Sequence, residues 1–250
     1  MKRRKFIASS ALTATAGVVS ANSLRSTTQN PTNEIYELKT YELAFRGDQK
    51  SLLTYFNEVL KPALFGVGAK NSMIFSEVGN PEPKKLWVLN AYPNFDVYQK
   101  SIALATQKDF IEKSAAYANA GKIYNRISSS LLYAFDGLKQ MLDPIKDTGL
   151  FELRIYEGSN EDAVRRKIKM FNNEEIDLFY RTDLNPVFFG KMLTGPYEPC
   201  LVYMLSFRNM EHRDEAWKSF GGHPDWNKMR VKEEYKDTVS NIRKIFLNLI

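Results

Sequence analysis

The stretch Phe151–Glu157, which reads Phe-Glu-Leu-Arg-Ile-Tyr-Glu, matches an earlier stretch, Tyr36–Glu42, which reads Tyr-Glu-Leu-Lys-Thr-Tyr-Glu. Side chains on a strand alternate between its two faces, so each stretch predicts a strand with one apolar and one polar face. Together the two polar faces hold two acids, two bases and two phenols: Glu37, Lys39, Tyr41, Glu152, Arg154 and Tyr156. The chain therefore presents one kind of strand twice, and with it one candidate site, the doubled polar face.

Further segments repeat in the same order after each of these strands. Each half predicts the order β-α-β-β-α-β, the ferredoxin-like arrangement, over residues 35–136 and 149–250, with a connector at 137–148. Leu86–Tyr92 and Leu201–Phe207 match at an offset of 115 residues, whereas Lys61–Gly66 and Asn185–Gly190 match at 124. The larger offset predicts a longer first helix in the second half. We expect an α+β fold in which two tandem repeats pair their sheets as an intramolecular dimeric α/β barrel.

Residues 1–21 have the features of a twin-arginine signal peptide. Arg3-Arg4 is followed by Lys5-Phe6-Ile7, then by a weakly apolar run rich in Ala, Ser and Thr that ends in small residues. Cleavage would lower the formal net charge from +6 by four, which leaves too small an excess to favour nucleic acid. We expect periplasmic export, a flexible linker at 22–34 and no stable membrane insertion after cleavage.

The repeated first strand resembles that of the NIPSNAP family, within the dimeric α/β-barrel superfamily. Arg166–Phe171, Asn185–Gly190 and Tyr203–Phe207 also resemble that family. The resemblance extends over roughly residues 35–250 and implies two domains folded as a pseudo-dimer around a shared lumen. More distant relatives are cofactor-free monooxygenases and haem-binding chlorite dismutases, and the resemblance itself implies no general activity.

If the doubled polar face lines the lumen, it predicts a ligand site. Arg154 and Lys39 would hold an anionic or carbonyl group, while Tyr41 and Tyr156 would supply ring contacts and hydroxyls. A buried ion-pair network and a solvated sheet face are the alternatives.

Two residues are candidates for a catalytic base. His223 follows two glycines and could titrate near neutrality, although a helix-linking loop is the simpler interpretation. Glu152, on the doubled polar face, is the other candidate. His212, in a charged helix, is expected to be exposed, and Cys200 to belong to the core. The two histidines lie eleven residues apart without a close third ligand, so we expect neither a metal nor a cofactor.

These features favour an exported protein that binds an unknown small organic molecule in the barrel lumen. A cofactor-independent monooxygenase or isomerase is the first alternative, and a protein-interaction scaffold is the second. A homo-oligomer is compatible with each of these functions.

Overall fold

The computed structural model describes residues 32–45, 47–118 and 123–250. The predicted signal peptide and the linker up to residue 31 lie outside the described residues. The described residues form an α+β fold around a closed, eight-stranded antiparallel barrel. None of their helices is long and apolar enough to cross a membrane.

The described residues of the first half form four strands and four α-helices. They are β1 (Ile35–Leu43), α1 (Gln49–Tyr55), α2 (Lys61–Gly66), β2 (Asn71–Glu77), β3 (Lys85–Tyr92), α3 (Phe95–Ala103), α4 (Lys108–Ala118) and β4 (Tyr124–Ala134). A π-helical turn, Phe56–Leu60, joins α1 to α2. We expected the helix to end or bend near Pro62. The chain stays helical to Gly66, and the π-helical turn Phe56–Leu60 lies directly before Pro62.

The second half has the same order of elements. They are β5 (Leu150–Glu157), α5 (Glu161–Met170), α6 (Ile176–Arg181), β6 (Asn185–Thr194), β7 (Cys200–Phe207), α7 (Met210–Gly222), α8 (Pro224–Met229) and β8 (Asn241–Leu249). The π-helical turn recurs at Phe171–Glu175. β6 begins at Asn185 and β2 at Asn71, so the offset here is 114 residues. The first helical segment is longer in the second half, as predicted, since it covers residues 161–181 there and 49–66 in the first half. The segment match behind that prediction is wrong, because Asn185–Gly190 is strand whereas Lys61–Gly66 is helix.

The barrel has the strand order β1-β3-β2-β8-β5-β7-β6-β4, which closes on β1. The halves meet at two seams, β2 with β8 and β4 with β6. Within each half the register extends over the length of the neighbouring strands, as in Ile35 opposite Tyr92 and Leu150 opposite Phe207.

Apolar side chains from all eight strands fill the barrel interior. This barrel-interior cluster includes Leu38, Phe75, Leu89, Leu132, Leu153, Phe188, Met204 and Leu247. Leu38 and Leu153 point inward, so strand alternation turns the doubled polar face outward, towards the helices. A second large cluster lies on that outer side in the second half, where Phe171, Phe179, Tyr203 and Phe220 pack between sheet and helices.

Candidate functional site

The doubled polar face lies outside the barrel, between the sheet and the helices, and not in the lumen. The side chain of Glu152, on β5, accepts hydrogen bonds from Arg213 and Trp217, both on α7. The equivalent face of β1 contacts neighbouring strands on the outer side of the first half. The sequence located the polar face correctly but could not say which side of the sheet enclosed the lumen.

Glu152 is fully buried and surrounded by donors. Its carboxylate accepts bonds from Arg154 Nη1 at 2.7 Å, from Arg213 Nε and Nη2 at 2.9 Å each, and from Trp217 Nε1 at 2.8 Å. Burial alone would raise the pKa of this carboxyl, but the bonds from Arg213 and the charge of Arg154 outweigh burial and lower it. Glu152 is thus an ionised group with its oxygens occupied, which does not support the prediction that it is a general base.

Arg154 is buried and only partly hydrogen-bonded. Its Nη1 donates to Glu152 and its Nη2 donates to the Tyr156 hydroxyl at 2.9 Å, while the guanidinium lies 4.3 Å from the centroid of the Trp217 ring system. A guanidinium has five N–H donors. Within the described part of the chain, its buried Nε has no hydrogen-bond partner. Arg154 therefore has N–H donors without a partner in the described residues, and its neighbours fix the position of its guanidinium.

Tyr156 extends the network across the sheet. Its hydroxyl oxygen accepts from Arg154 and from the Tyr203 hydroxyl at 2.9 Å, which leaves its own proton free to be donated. Burial raises the pKa of Tyr156 above its ordinary value of 10, and burial raises that of Tyr203 well above it. Both phenols are neutral donors at physiological pH.

A second buried ion pair lies beside these residues. Lys167 Nζ, on α5, donates to Glu175 Oε2 at 2.6 Å and also lies 4.6 Å from the centroid of the Phe171 ring. Burial raises the pKa of Glu175, and the neighbouring Lys167 opposes that effect. The pair places a second cation next to Arg154.

These groups line an open pocket of about 610 Å³ between the sheet and the helices of the second half, here called the helix-side pocket. Its polar wall contains Arg154, Tyr156, Lys167 and Glu175, and its aromatic wall contains Trp217, Phe220, Trp226 and Tyr235. The volume lies within the roughly 300–1,000 Å³ usual for ligand pockets. Convergent polar groups against aromatic walls suit a planar molecule with an anionic or carbonyl group.

The first half arranges its copy of the face differently. Glu37 is buried and accepts from Asn90 Nδ2 and the Tyr92 hydroxyl at 3.1 Å each, while Lys39 Nζ lies 2.9 Å from its Oε1. Tyr41 is buried in an aliphatic cluster, where its ring lies edge-on to that of Tyr124. Glu37, Lys39 and Tyr41 thus lie on one strand face but do not line the helix-side pocket.

The neighbours of the face explain the difference between the halves. At the offset of 115 residues, Lys167 corresponds to Leu52, and Tyr203 to Val88. Both first-half residues are buried in the aliphatic cluster that fills the equivalent space. The sequence pattern alone does not mark Trp217, Lys167 or Glu175 as site residues. Comparing the two halves position by position would have shown these polar and aromatic exchanges.

The remaining candidates lie elsewhere. His223 Nδ1 accepts from Asp225 N at 3.1 Å and so caps α8, and His223 does not line the helix-side pocket. The expected exposure of His212 is wrong: its ring is buried, with Nδ1 accepting from Arg208 N and Nε2 2.7 Å from Asp183 Oδ2. Cys200 is buried as expected, and burial raises its pKa to about 12.

Metal-ligating side chains do not gather in the described residues. Across 32–45, 47–118 and 123–250, no three His, Cys, Asp or Glu residues are placed to hold one ion.

Comparison with known proteins identifies a domain and a fold. Residues 151–250 match the NIPSNAP family model. No curated protein matches the chain significantly.

Two solved structures resemble almost the whole chain. A "putative monooxygenase" from Fusobacterium nucleatum has a TM-score of 0.59 at 8% identity, covering 87% of this chain and 93% of its own. A "putative monooxygenase" from Lactobacillus acidophilus has a TM-score of 0.59 at 14% identity, covering 87% and 94%. A NIPSNAP family protein of unknown function from Agrobacterium tumefaciens covers 43% of this chain and 93% of its own, with 17% identity and a TM-score of 0.37. The two longer matches show that the chain shares its fold with these two proteins.

Proposed function

We propose that this is an exported NIPSNAP-type protein that binds a small organic anion with a planar body in the helix-side pocket. One observation carries the proposal: the Arg154 guanidinium lines an open pocket, and only two of its five N–H donors are used within the described chain. A buried donor without a partner costs on the order of 1–3 kcal/mol. A ligand acceptor at this wall would recover part of that cost.

The surroundings of Arg154 support a ligand that is both anionic and flat. Glu152 fixes the guanidinium, and Trp217 stacks against it, so little side-chain entropy is lost when a ligand binds. Tyr156 offers an O–H donor beside it. The opposite wall supplies aromatic surface from Phe220 and Trp226, whose rings lie 4.6 Å apart.

We further propose that the two halves are tandem ferredoxin-like repeats that form a pseudo-dimer. β1 and β5 are offset by 115 residues, as are β3 and β7, and the π-helical turn occurs in both halves. The strand order supports this arrangement, since β4-β1-β3-β2 and β6-β7-β5-β8 are each contiguous in the barrel. Only the second copy keeps the polar pocket.

Binding is favoured over catalysis by the state of the two candidate bases. Glu152 accepts four hydrogen bonds, and the Nδ1 atom of His223 is engaged in capping a helix. Two of the structural neighbours are named putative monooxygenases, which keeps the predicted cofactor-independent monooxygenase as the second candidate. In that case Tyr156, hydrogen-bonded by Arg154, would be the residue placed to donate a proton.

Mass spectrometry of whatever co-purifies with the protein tests the binding proposal. Arg154→Met should abolish retention of that compound, or weaken binding by roughly 10- to 150-fold, because a charged hydrogen bond is worth about 1.5–3 kcal/mol. The fold should persist, since Glu152 keeps its bonds from Arg213 and Trp217. Lys39→Met, the equivalent change in the first half, is the matched control and should retain the compound. Equal retention by both variants would reject the site.

Two further measurements separate the alternatives. Oxygen consumption with the purified compound, abolished in Tyr156→Phe, would establish a monooxygenase in place of a binding protein. A compound that binds only the native state raises the melting temperature. If no co-purified or added compound does so, the interaction scaffold becomes the better account.

Export has its own test. Replacing both Arg3 and Arg4 by Lys should trap the precursor in the cytoplasm, because twin-arginine signals are read through that pair. Fractionation and immunoblotting would show the distribution, and an unchanged periplasmic yield would refute the twin-arginine assignment.

A further inference from the structure

The two ends of the barrel differ. At one end the connector between β4 and β5 packs against the strands. Met141 contacts the barrel-interior cluster, its N–H donates to Glu34 Oε2 at 2.7 Å, and Leu142 N donates to Val187 O at 2.8 Å. This end is closed by apolar and hydrogen-bonded contacts.

At the other end, polar side chains replace the apolar interior. They alternate with outward residues in the same register as Leu38, Leu89 and Leu132, so they point into the lumen. The inward polar residues at this end are Thr40, Glu42, Lys85, Arg126, Ser128 and Ser130. They line a pocket of about 260 Å³, here called the barrel-mouth pocket, which is separate from the helix-side pocket.

The floor of the barrel-mouth pocket is aliphatic. It consists of Leu38, Ile155, Met192 and Val202, all buried. Trp87 forms part of the side wall, with its indole N–H donating to Glu77 Oε1 at 2.8 Å. A ligand that entered this space would meet apolar surface below and charged groups above.

The charged groups above the floor are unusual because they do not pair with one another. Glu42 lies in register with Lys85 on β3 and with Arg126 on β4, yet none of the three forms an ion pair or side-chain hydrogen bond within the described residues. Ser130 is buried and, among the same residues, its hydroxyl has no partner. The formal balance of the three charges is one positive charge, so the rim favours an anion.

The hairpin between β6 and β7 forms a tight wall for this pocket. Gly195 has a φ of +152°, and a Cβ built there would lie 2.7 Å from Ser130 Oγ. Tyr197 follows it and lines the pocket, with the Arg243 guanidinium 3.9 Å from the centroid of its ring. Close approach at Gly195 brings the hairpin against the polar rim.

We propose that the barrel-mouth pocket binds an aliphatic monocarboxylate. The carboxylate lies between Lys85 and Arg126, and the hydrocarbon tail rests on Leu38, Ile155 and neighbouring floor residues. This site is independent of the proposed function of the helix-side pocket, and the volume limits it to a small molecule.

Titration of the full chain with octanoate by isothermal calorimetry tests the proposal. The double variant Lys85→Gln, Arg126→Gln should bind octanoate at least roughly tenfold more weakly, because charged hydrogen bonds are lost. Lys191→Gln, which removes an exposed cation on the outer face of β6, is the matched control and should bind like wild type. Melting temperatures of all variants check that the fold is intact.

The variant Glu42→Gln tests whether the pocket binds an anion or a cation. A carboxylate ligand is repelled by Glu42, so Glu42→Gln should tighten octanoate binding severalfold. A ligand with an ammonium group would be held by Glu42, and weaker octanoate binding in Glu42→Gln would overturn the proposal.

The variant Arg154→Met tests whether octanoate binds in the barrel-mouth pocket or in the helix-side pocket. Octanoate binding should be unchanged in Arg154→Met, since Arg154 lies on the outer side of the sheet. Loss of binding in Arg154→Met with normal binding in the Lys85, Arg126 double variant would overturn the proposal. So would the absence of saturable octanoate binding to wild type.

Discussion

Replacing Glu152 by Gln should destabilise the protein strongly. The carboxylate neutralises Arg154, whose side chain is 6% exposed, and Arg213, whose side chain is 16% exposed. Glutamine keeps the shape of the side chain but brings an NH₂ group against donors that point at it. Arg154 would then remain as a buried cation without its counter-ion.

The expected loss of stability in Glu152→Gln follows from that arrangement. Removing one partner of a buried ion pair costs about 3–5 kcal/mol. For a chain of this size, each kcal/mol lowers the melting temperature by roughly 2–4 °C, so we expect a decrease of roughly 6–20 °C. Adding Arg154→Met to Glu152→Gln should recover part of the loss, because the stranded cation is then removed.

Thermal unfolding followed by circular dichroism measures these changes. Glu37→Gln is the matched control in the first half. Its carboxylate is bonded by the neutral groups of Asn90 and Tyr92, and Lys39 is 28% exposed on its side chain, so water can solvate that cation. We expect a cost of about 1–2 kcal/mol there.

Glu152→Gln also tests how the stability of the protein depends on pH. The pKa of Glu152 is lowered in the folded state, so its stabilising effect is complete above the ordinary glutamate pKa of 4.5 and is lost as the pH falls through the folded value. The difference in melting temperature between wild type and Glu152→Gln should therefore shrink below pH 4.5. A Glu152→Gln protein as stable as wild type at pH 7, or a double variant no more stable than the single one, would refute the reasoning.

A fragment ending near Lys146 should be insoluble or should dimerise in light scattering, because the barrel interior needs strands from both halves; a monomer that unfolds cooperatively would contradict this. Gly190→Ala should cost about 1–3 kcal/mol in chemical unfolding, since its Cβ would lie 2.9 Å from that of Leu132. Gly66→Ala, with nothing within 4 Å of its Cβ, is the control and should not lose stability. Cys200 should resist iodoacetamide in the folded protein at pH 8, because its pKa is raised to about 12 and it is buried; rapid labelling without unfolding would refute that account.

Most strand and helix positions could be predicted from local pattern. β1 contains the predicted strand Tyr36–Glu42, and β5 contains the predicted strand Phe151–Glu157. β4 begins at Tyr124. Its first six residues are exposed and include one aliphatic side chain, Ile127, so pairing with β1 and not burial places them in the strand.

The match between Lys61–Gly66 and Asn185–Gly190 shows the limit of local pattern. Both segments contain Pro followed by apolar residues and Gly, yet the first continues a helix and the second opens a strand. Short apolar runs do not distinguish helix from strand. The surrounding sheet decides, because β6 pairs with both β7 and β4.

The sequence alone determined the repeated strand, its alternation and the identity of the polar face, because strand periodicity is a local property of the backbone. Only the tertiary structure decided which face enclosed the lumen. Closing eight strands into a barrel buries the middle of one face, and the apolar residues there, such as Leu38 and Leu153, can be buried without leaving charges unpaired. The tertiary structure also decided that Arg154, and not Lys39, borders the helix-side pocket, because Trp217, Lys167 and Tyr203 come from separate elements that meet only when the helices pack on the sheet.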